Sequence, residues 1–398
     1  MRKLNKTAAC GILAAALAAG TLSGCSKAID GTKTVATVGD EKVTLGLASY
    51  MVRDQQAQTM SYYNMLMSQY GVSGSASNVW DQKGDDGKTV GESSKDGVMT
   101  TINQLYVLKA HAADYDVTIT DDEEKAIKEA AAEFIKDNDE KILKKLAVSE
   151  DDIVTYLELV TIRSKMHDPM TADVDTEVSA NEKDQTRVTI VKVSTEGTEK
   201  DDDGNTIDLT DEEKAQKKDL AQQVLDKVKA SDDVANADMD ALAKEVDDSL
   251  SATAPAFTTA GDTDDTLDEA VQDAALELKD GEVADKVIEG DDGYYVVRLD
   301  KMLDEDATEN KEKTVISERK SDLYDSTLED WVKEEKIKVD DKVWDQIKVT
   351  DSVSFEYKST DSSEGDSTAT DADSTKDTED TSAQDSSASD SAAEDSAE

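Results

Sequence analysis

Residues 276–301 read LELKDGEVADKVIEGDDGYYVVRLDK, and this stretch decides how the chain is interpreted. A Gly-Glu-Val turn at Gly281 is followed by an apolar run, rich in Val and Tyr, from Gly293 to Leu299. Gly and Asp favour turns, whereas Val and Tyr favour strands. The stretch therefore predicts the strands that close a mixed helix-and-sheet domain.

The residues upstream complete this domain. A β-rich run from Val188 to Val193 precedes the sequence TDEE at 210–213, which is a capping box and predicts the start of a helix. Shorter helices are predicted near Met239 and between Leu267 and Leu278. The economical interpretation is one domain of order β-α-α-α-β-β over residues 186–304.

The chain before this domain is mainly helical. An alternating hairpin over 35–44 precedes a helix from about Leu45 to Tyr70, and a polar loop over 72–97 follows it. Capping boxes at Thr120 and Ser149 predict two further helices. We expect the following order: a helical domain over 35–170, a linker over 171–185, the domain over 186–304, and an amphipathic helix within 305–357.

The first 24 residues have the pattern of a secretory leader. Basic residues precede an apolar run from Ala8 to Leu22, which ends in the sequence LSGC at 22–25. This ending resembles a bacterial lipobox, which implies cleavage before Cys25, diacylglycerylation of its thiol and a tether over 25–34. The alternative is an ordinary signal peptide with a chance cysteine. Since Cys10 lies in the leader, we expect no disulfides in the mature chain.

Charge excludes one large class of function. The chain has 92 acidic and 44 basic residues in 398, a net charge of −48, and it therefore repels phosphate backbones. Residues 358–398 consist almost entirely of Asp, Glu, Ser, Thr and Ala, a composition that predicts a disordered tail. This tail is a solubilising segment or, alternatively, a calcium-buffering or wall-associating one.

Three segments resemble the PrsA-type foldases, lipoprotein relatives of SurA that carry a parvulin domain. They are VATVGDEKVT at 35–44, DALAKEVDDS at 240–249 and the stretch at 276–301. The resemblance implies an α+β chain with a SurA-like helical chaperone domain that a C-terminal helix completes. A parvulin-like domain is inserted between the two, and the disordered acidic tail follows.

Parvulins catalyse rotation about prolyl peptide bonds, using an apolar pocket above a network with two histidines. The resemblance places the two histidine positions on Val188 and Tyr295, and the network's Asp or Cys position on Ser249. The apolar pocket positions fall on Leu267 and Val271, and Phe257 is a further candidate for the pocket aromatic. With both imidazoles absent, we expect catalysis to be lost or weakened.

The sequence gives little support for a metal site, a catalytic triad or a calcium loop. The two histidines, His111 and His167, are too few for a metal or a triad, and both lie in the helical half. The acidic segment 201–205 lacks the closing Glu of a calcium loop, because Thr210 stands at that position. We expect no cofactor and no metal. The helix after Leu45 is rich in Met and Tyr, which suits either a core or a promiscuous binding surface.

The sequence thus predicts a foldase tethered through a lipid on Cys25 to the outer face of a bacterial membrane, that of a Gram-positive organism. Its partners would be unfolded secreted polypeptides, and a homodimer is left open. One alternative is a working prolyl isomerase in which the hydroxyls of Ser249 and Tyr295 replace the imidazoles. A second alternative is a solute-binding lipoprotein of a transporter, which requires two α/β lobes.

Overall fold

The structure is a computed structural model that describes residues 17–22, 29–69, 79–198, 200, 206–260 and 267–357. The predicted lipidation site Cys25, the acidic segment 201–205 and the tail 358–398 lie outside the described residues. Among the residues described, no helix is long and apolar enough to cross a bilayer.

Five of the helices that the structure describes build the helical domain. Three capping boxes start helices of this domain, with Thr89, Thr120 and Ser149 as the N-cap residues. The boxes at Thr120 and Ser149 were predicted, and the one at Thr89 was not. The helices are α1 (Leu45–Gln69), α2 (Val90–His111), α3 (Asp121–Asp137), α4 (Glu140–Leu146) and α5 (Glu150–Met170). The predicted loop over 72–97 was therefore too long, because the box between Thr89 and Glu92 starts α2 at Val90.

A small sheet joins the two ends of the folded chain. Strands β2 (Thr34–Val38) and β3 (Glu41–Thr44) form the predicted hairpin, and Gly39 at its turn has a φ of 57°, which favours glycine. Strand β9 (Ile337–Val339) pairs antiparallel with the other edge of β2. The C-terminal segment therefore completes the helical domain, as the sequence predicts.

The C-terminal helix returns along the helical domain. This helix, α10 (Glu305–Glu334), buries Leu328 and stacks Trp331 on His111, with 4.1 Å between the ring centroids. The short helix α11 (Asp341–Trp344) follows it, and Trp344 packs in the core of the helical domain. The last strand, β10 (Val353–Tyr357), pairs with β1 (Leu17–Leu22).

The inserted domain is a five-stranded antiparallel sheet with helices on both faces. The strands run in the order β5-β4-β8-β7, and β6 also pairs with β4. The elements are β4 (Gln185–Ser194), α7 (Asp211–Lys229), α8 (Met239–Lys244), β5 (Ala252–Thr253), β6 (Ala256–Thr258), α9 (Glu269–Leu276), β7 (Ile288–Glu289) and β8 (Gly293–Lys301). The predicted α+β class is confirmed, although the short strands β5 and β6 were missed. The described part of the chain does not have the two α/β lobes that a solute-binding lipoprotein requires.

The predicted linker contains one helical turn, and hydrogen bonds from α10 hold this turn in place. This turn, α6 (Ala180–Lys183), follows Ser179, whose hydroxyl and N–H donate to Glu182 at 2.7 and 3.0 Å. From α10, Arg319 Nη2 donates to the same carboxylate at 2.5 Å, and Arg319 Nη1 donates to the carbonyl oxygens of Asp175 and Glu177. These contacts order the linker against the returning helix.

The Glu182 carboxyl should titrate far below its usual range. The hydrogen bonds from the Ser179 hydroxyl and N–H, and then from Arg319, lower the pKa of Glu182 to about 2. Because this folded-state pKa lies below the ordinary value of about 4.3, the contact stabilises the fold above that pH. Its contribution is lost as the pH falls towards 2.

Carbon-detected NMR titration of the Glu182 carboxyl measures this pKa directly. Ser179→Ala should raise the pKa more than Arg319→Ala does, since the serine supplies the largest contribution. A wild-type carboxyl that titrates near 4.3, or one indifferent to Ser179→Ala, would show that the contact does not form.

Candidate functional site

The predicted parvulin pocket lies on one face of the inserted sheet. Side chains on one face of a strand recur every second residue, so β4 and β8 each present alternate residues to α9. Four of the predicted site residues meet there in one buried cluster together with Phe257: they are Val188, Leu267, Val271 and Tyr295. The opposite face packs on α7 and α8.

The cluster is closely packed by large side chains. Val188, Val271 and Phe257 are fully buried, and Leu267 is 7% exposed. Phe257 stands on β6 opposite Thr186 of β4, which places its ring in the cluster. This part of the face is thus a closely packed apolar cluster, and it meets charged side chains at the end of the sheet near Tyr295.

Tyr295 forms a polar group with a carboxylate and a lysine. Its hydroxyl donates to Asp292, and Lys192 Nζ donates to the other oxygen of that carboxylate at 2.5 Å. Lys192 is the direct cross-strand partner of Tyr295, and its Nζ lies 6.0 Å from the centroid of the tyrosine ring. The register of β4 and β8 therefore brings the three side chains together.

Burial, and then the hydrogen bond to Asp292, raise the pKa of Tyr295 well above its usual range. Partial burial would raise the pKa of Asp292, but the hydrogen bonds from Lys192 and Tyr295 outweigh it and hold that pKa below its usual range. At neutral pH Tyr295 is thus neutral, and its hydroxyl donates a hydrogen bond to the ionised carboxylate of Asp292.

More acidic groups surround this end of the sheet. Asp268 caps α9 through the N–H of Ala270 at 2.9 Å and also accepts the N–H of Asp291 at 2.7 Å. Gly290 lies so close that a Cβ there would be 2.3 Å from Asp268 Oδ2 and 2.9 Å from Tyr295 Cε2. The loop before β8 is therefore held tightly against Asp268 and the tyrosine.

Ser249 lies in a different setting from the other four predicted residues. It is exposed at a turn after α8, where its hydroxyl and its N–H donate to Asp247 at 2.6 and 2.9 Å. These bonds lower the pKa of Asp247 and engage the hydroxyl locally. Ser249 is thus a turn residue here, and the cluster gains Phe257 instead.

Both histidines lie in the helical domain and face α10. His111 stacks on Trp331, and His167 lies 5.4 Å from the ring of Tyr324, centroid to centroid. The inserted domain therefore has no imidazole in its sequence. Among the described residues, no group of three or more His, Cys, Asp or Glu side chains is placed to hold a metal ion.

The Met- and Tyr-rich helix α1 divides into two halves. In its first part Tyr50, Met51 and Met60 are buried, and the ring of Tyr50 lies 5.4 Å from that of Phe134. Further along, Tyr62 and Met65 are 58% and 61% exposed, and Tyr63 between them is 36% exposed. We call Tyr62, Tyr63 and Met65 the α1 apolar surface. The helix thus supplies both a core and an exposed apolar surface.

Sequence reasoning missed the group formed by Lys192 and Asp292. Strand alternation places Lys192 on the same face as Val188 and Ile190, so its position could have been read from the pattern. The pairing of Lys192 with Tyr295 depends on the register between two strands about one hundred residues apart, which the sequence does not specify.

Residues 199–312 match the family model of the PPIC-type PPIase domain. This match confirms the predicted parvulin-type relationship for the inserted domain, although it begins after β4 and Val188. None of the curated proteins matches the chain.

Several solved structures are similar to this chain. The foldase protein PrsA of Lactococcus lactis is 14% identical, with a TM-score of 0.31, and the match covers 78% of this chain and 96% of that one. The peptidylprolyl isomerase PrsA of Bacillus cereus is 20% identical, with a TM-score of 0.29, and the match covers 68% and 97%. A chain from a study of two SurA-like chaperones of Campylobacter jejuni is 9% identical, with a TM-score of 0.25, and the match covers 77% and 98%.

Proposed function

We propose that this protein is a membrane-anchored extracytoplasmic foldase that binds unfolded secreted polypeptides. In this proposal its parvulin-like domain serves mainly as a second binding surface. The match of residues 199–312 to the PPIC-type PPIase domain carries the proposal, because a peptidyl-prolyl isomerase acts on the peptide bonds of a polypeptide. The absence of both imidazoles from the pocket face supports the part of the proposal that expects weakened catalysis.

The polar group at Tyr295 supports weakened catalysis. Rotation about a prolyl peptide bond has a barrier of about 18–20 kcal/mol, because amide resonance gives the C–N bond partial double-bond character. A phenol could weaken that resonance only by donating a hydrogen bond to the prolyl nitrogen. The Tyr295 hydroxyl already donates to Asp292, and the nearby charges of Asp268 and Asp291 oppose any build-up of negative charge.

The α1 apolar surface supports client binding by the helical domain. Methionine is flexible and polarisable, and tyrosine offers an apolar ring with a polar tip, so such a surface adapts to varied apolar segments. Exposed apolar side chains that cluster on one helix commonly mark interaction sites. The net charge of −48 opposes self-association through such a surface.

The lipid anchor would hold the helical domain close to the membrane. Ile29 already packs against the core of that domain, and Gly31 accepts a hydrogen bond from Gly46 N at 2.9 Å. Only three residues, 26–28, lie between Cys25 and Ile29, and these four Cα–Cα steps span at most about 14 Å in an extended chain. A tether this short leaves the helical domain at the lipid surface.

Two measurements on the chain from Ser26 to Glu398 test the proposal. Light scattering should show suppressed aggregation of a refolding client at a near-stoichiometric ratio. Exchange NMR on an Ala-Pro peptide should show isomerisation no faster than the uncatalysed process, which takes tens of seconds. Clear acceleration would establish the enzyme instead, and Tyr295→Phe would then test the hydroxyl.

A pair of variants locates the client surface. The double variant Tyr62→Ser, Met65→Ser removes the two most exposed members of the α1 apolar surface, and it should weaken suppression several-fold. Ile207→Ser is the matched control, because Ile207 is also exposed, at 46%, but lies in the inserted domain. No suppression by the wild-type chain at several-fold excess would overturn the chaperone assignment.

A further inference from the structure

Strand β1 (Leu17–Leu22) occupies the edge of β10 (Val353–Tyr357). The two strands form an antiparallel pair in which Leu17 is opposite Tyr357, Ala19 is opposite Phe355 and Leu22 is opposite Val353. The register shifts by one residue between Ala19 and Leu22. Strand β1 also contacts α4, and we call the position that it occupies beside β10 and that helix the slot.

Strand β10 is held in place by contacts that do not involve β1. Gln56 Nε2 donates to the carbonyl of Val353 at 3.0 Å, and the hydroxyl of Tyr357 donates to Asp54 Oδ1 at 2.8 Å. The guanidinium of Arg53 lies 5.0 Å from the ring centroid of Phe355 and donates to the carbonyl of Lys348 at 2.8 Å. All of these groups on α1 remain when β1 is absent, so β10 keeps its position.

The occupant of the slot belongs to the predicted leader. Cleavage before Cys25 removes residues 17–22 and leaves the edge of β10 without a partner. An unpaired edge presents main-chain N–H and C=O groups and readily accepts another extended chain. In the mature protein the slot between β10 and α4 is then a vacant position for one strand.

We propose that this slot binds one extended, uncharged segment of an unfolded client as an antiparallel strand. This inference rests on the proposed function, for which it supplies a binding site. Main-chain pairing gives affinity with little dependence on sequence, which suits a protein with many clients. The slot would act beside the α1 apolar surface, since β10 packs on the first half of the same helix.

The sequence seated in the slot indicates the chemistry that it accepts. LAAGTL at 17–22 has no charge, and small residues fill its middle. The chain's own tail begins directly after β10, but acidic residues recur throughout it, which makes it a poor competitor for a slot that holds an uncharged strand. An apolar client segment is therefore the favoured occupant.

Fluorescence anisotropy of a labelled LAAGTL peptide tests this site. The peptide should bind the chain that starts at Ser26. It should not bind the full chain with Cys25→Ser, in which the leader stays in the slot. Equal binding to both chains would overturn the proposal.

N-methylated peptides test whether main-chain pairing is responsible. In an antiparallel pair, neighbouring residues direct their N–H groups to opposite sides, so only one of Ala18 and Ala19 donates to β10. One N-methylated peptide should bind at least about tenfold more weakly, and the other within about threefold of the parent. Equal affinities for the two would rule out strand pairing.

The aggregation assay separates this inference from the proposed function. If the chain from Ser26 suppresses aggregation and excess LAAGTL peptide relieves the suppression, both stand. Suppression that the peptide does not affect overturns the slot alone. A chain that binds the peptide with the N-methylation pattern but never suppresses aggregation retains the slot and loses the foldase function.

Discussion

Phe257→Ala should lower the free energy of unfolding of the inserted domain by about 3–5 kcal/mol. The ring is fully buried on β6, where it packs among Val188, Val271 and Tyr295 beneath α9. Truncation removes the burial of a large apolar group and leaves a cavity that the rigid sheet cannot close. Since whole domains are stable by only about 5–15 kcal/mol, this single change brings the inserted domain close to unfolding.

Hydrogen exchange followed by mass spectrometry measures this effect domain by domain. Peptides from β4, β8 and α7 should lose protection, whereas peptides from α2 and α5 should keep it. Ile207→Ala is the control, because Ile207 is 46% exposed in the same domain, and it should change stability by less than about 0.5 kcal/mol. Equal loss of protection in α2 and α5 would show that the two domains unfold as one unit.

Phe257→Ala also distinguishes the two proposed client-binding surfaces, which are the α1 apolar surface and the parvulin-like domain. If the helical domain carries most of the binding, Phe257→Ala should retain most of the suppression of aggregation even though the parvulin-like pocket is lost. Loss of suppression in parallel with the inserted domain would instead assign client binding to the pocket.

Much of the fold could be predicted because local signals and the fold agree. Capping boxes at Thr120, Ser149 and Thr210 each start a helix where the sequence predicts one. The hairpin over 35–44 forms because Gly39 supplies the turn between alternating strands. Such features depend on contacts within a few residues, and a single sequence contains them.

What could not be predicted depends on contacts between distant residues. Strands β5 and β6 have only two and three residues, and they exist because β4 offers an edge to pair with. The candidate site, too, could be predicted only in part. Alternation along the strands indicates which residues share the pocket face, but the group of Lys192, Asp292 and Tyr295 follows from register, and the exposed position of Ser249 follows from a turn.

The start of α1 packs closely against the start of α5. Asp152, which is 7% exposed, accepts hydrogen bonds from the Ser149 N–H at 2.8 Å, from the Ser149 hydroxyl at 2.7 Å and from the Thr44 hydroxyl. It therefore completes the capping box of α5 and also links that helix to Thr44, the residue before α1. Gly46 lies directly against this carboxylate, so a side chain there must displace it.

Gly46→Ala should accordingly destabilise the helical domain by about 2–3 kcal/mol. A Cβ at this position would lie 2.4 Å from Asp152 Oδ2 and 2.8 Å from the carbonyl oxygen of Ala147. The carboxylate cannot move without giving up its buried hydrogen bonds, and the carbonyl is fixed by the backbone after α4. The methyl group thus causes overpacking and disturbs the cap of α5.

Gly97→Ala is the matched control with the opposite expected sign. Gly97 is an exposed position inside α2, and a Cβ there meets nothing within 4 Å. Alanine in a helix interior is favoured over glycine by about 0.5–1 kcal/mol, so this variant should be more stable than the wild type. Urea unfolding monitored by far-ultraviolet circular dichroism gives both values. If Gly46→Ala matched the stability of Gly97→Ala, the fixed position of Asp152 would be disproved, because only a carboxylate free to retreat admits the methyl group at no cost.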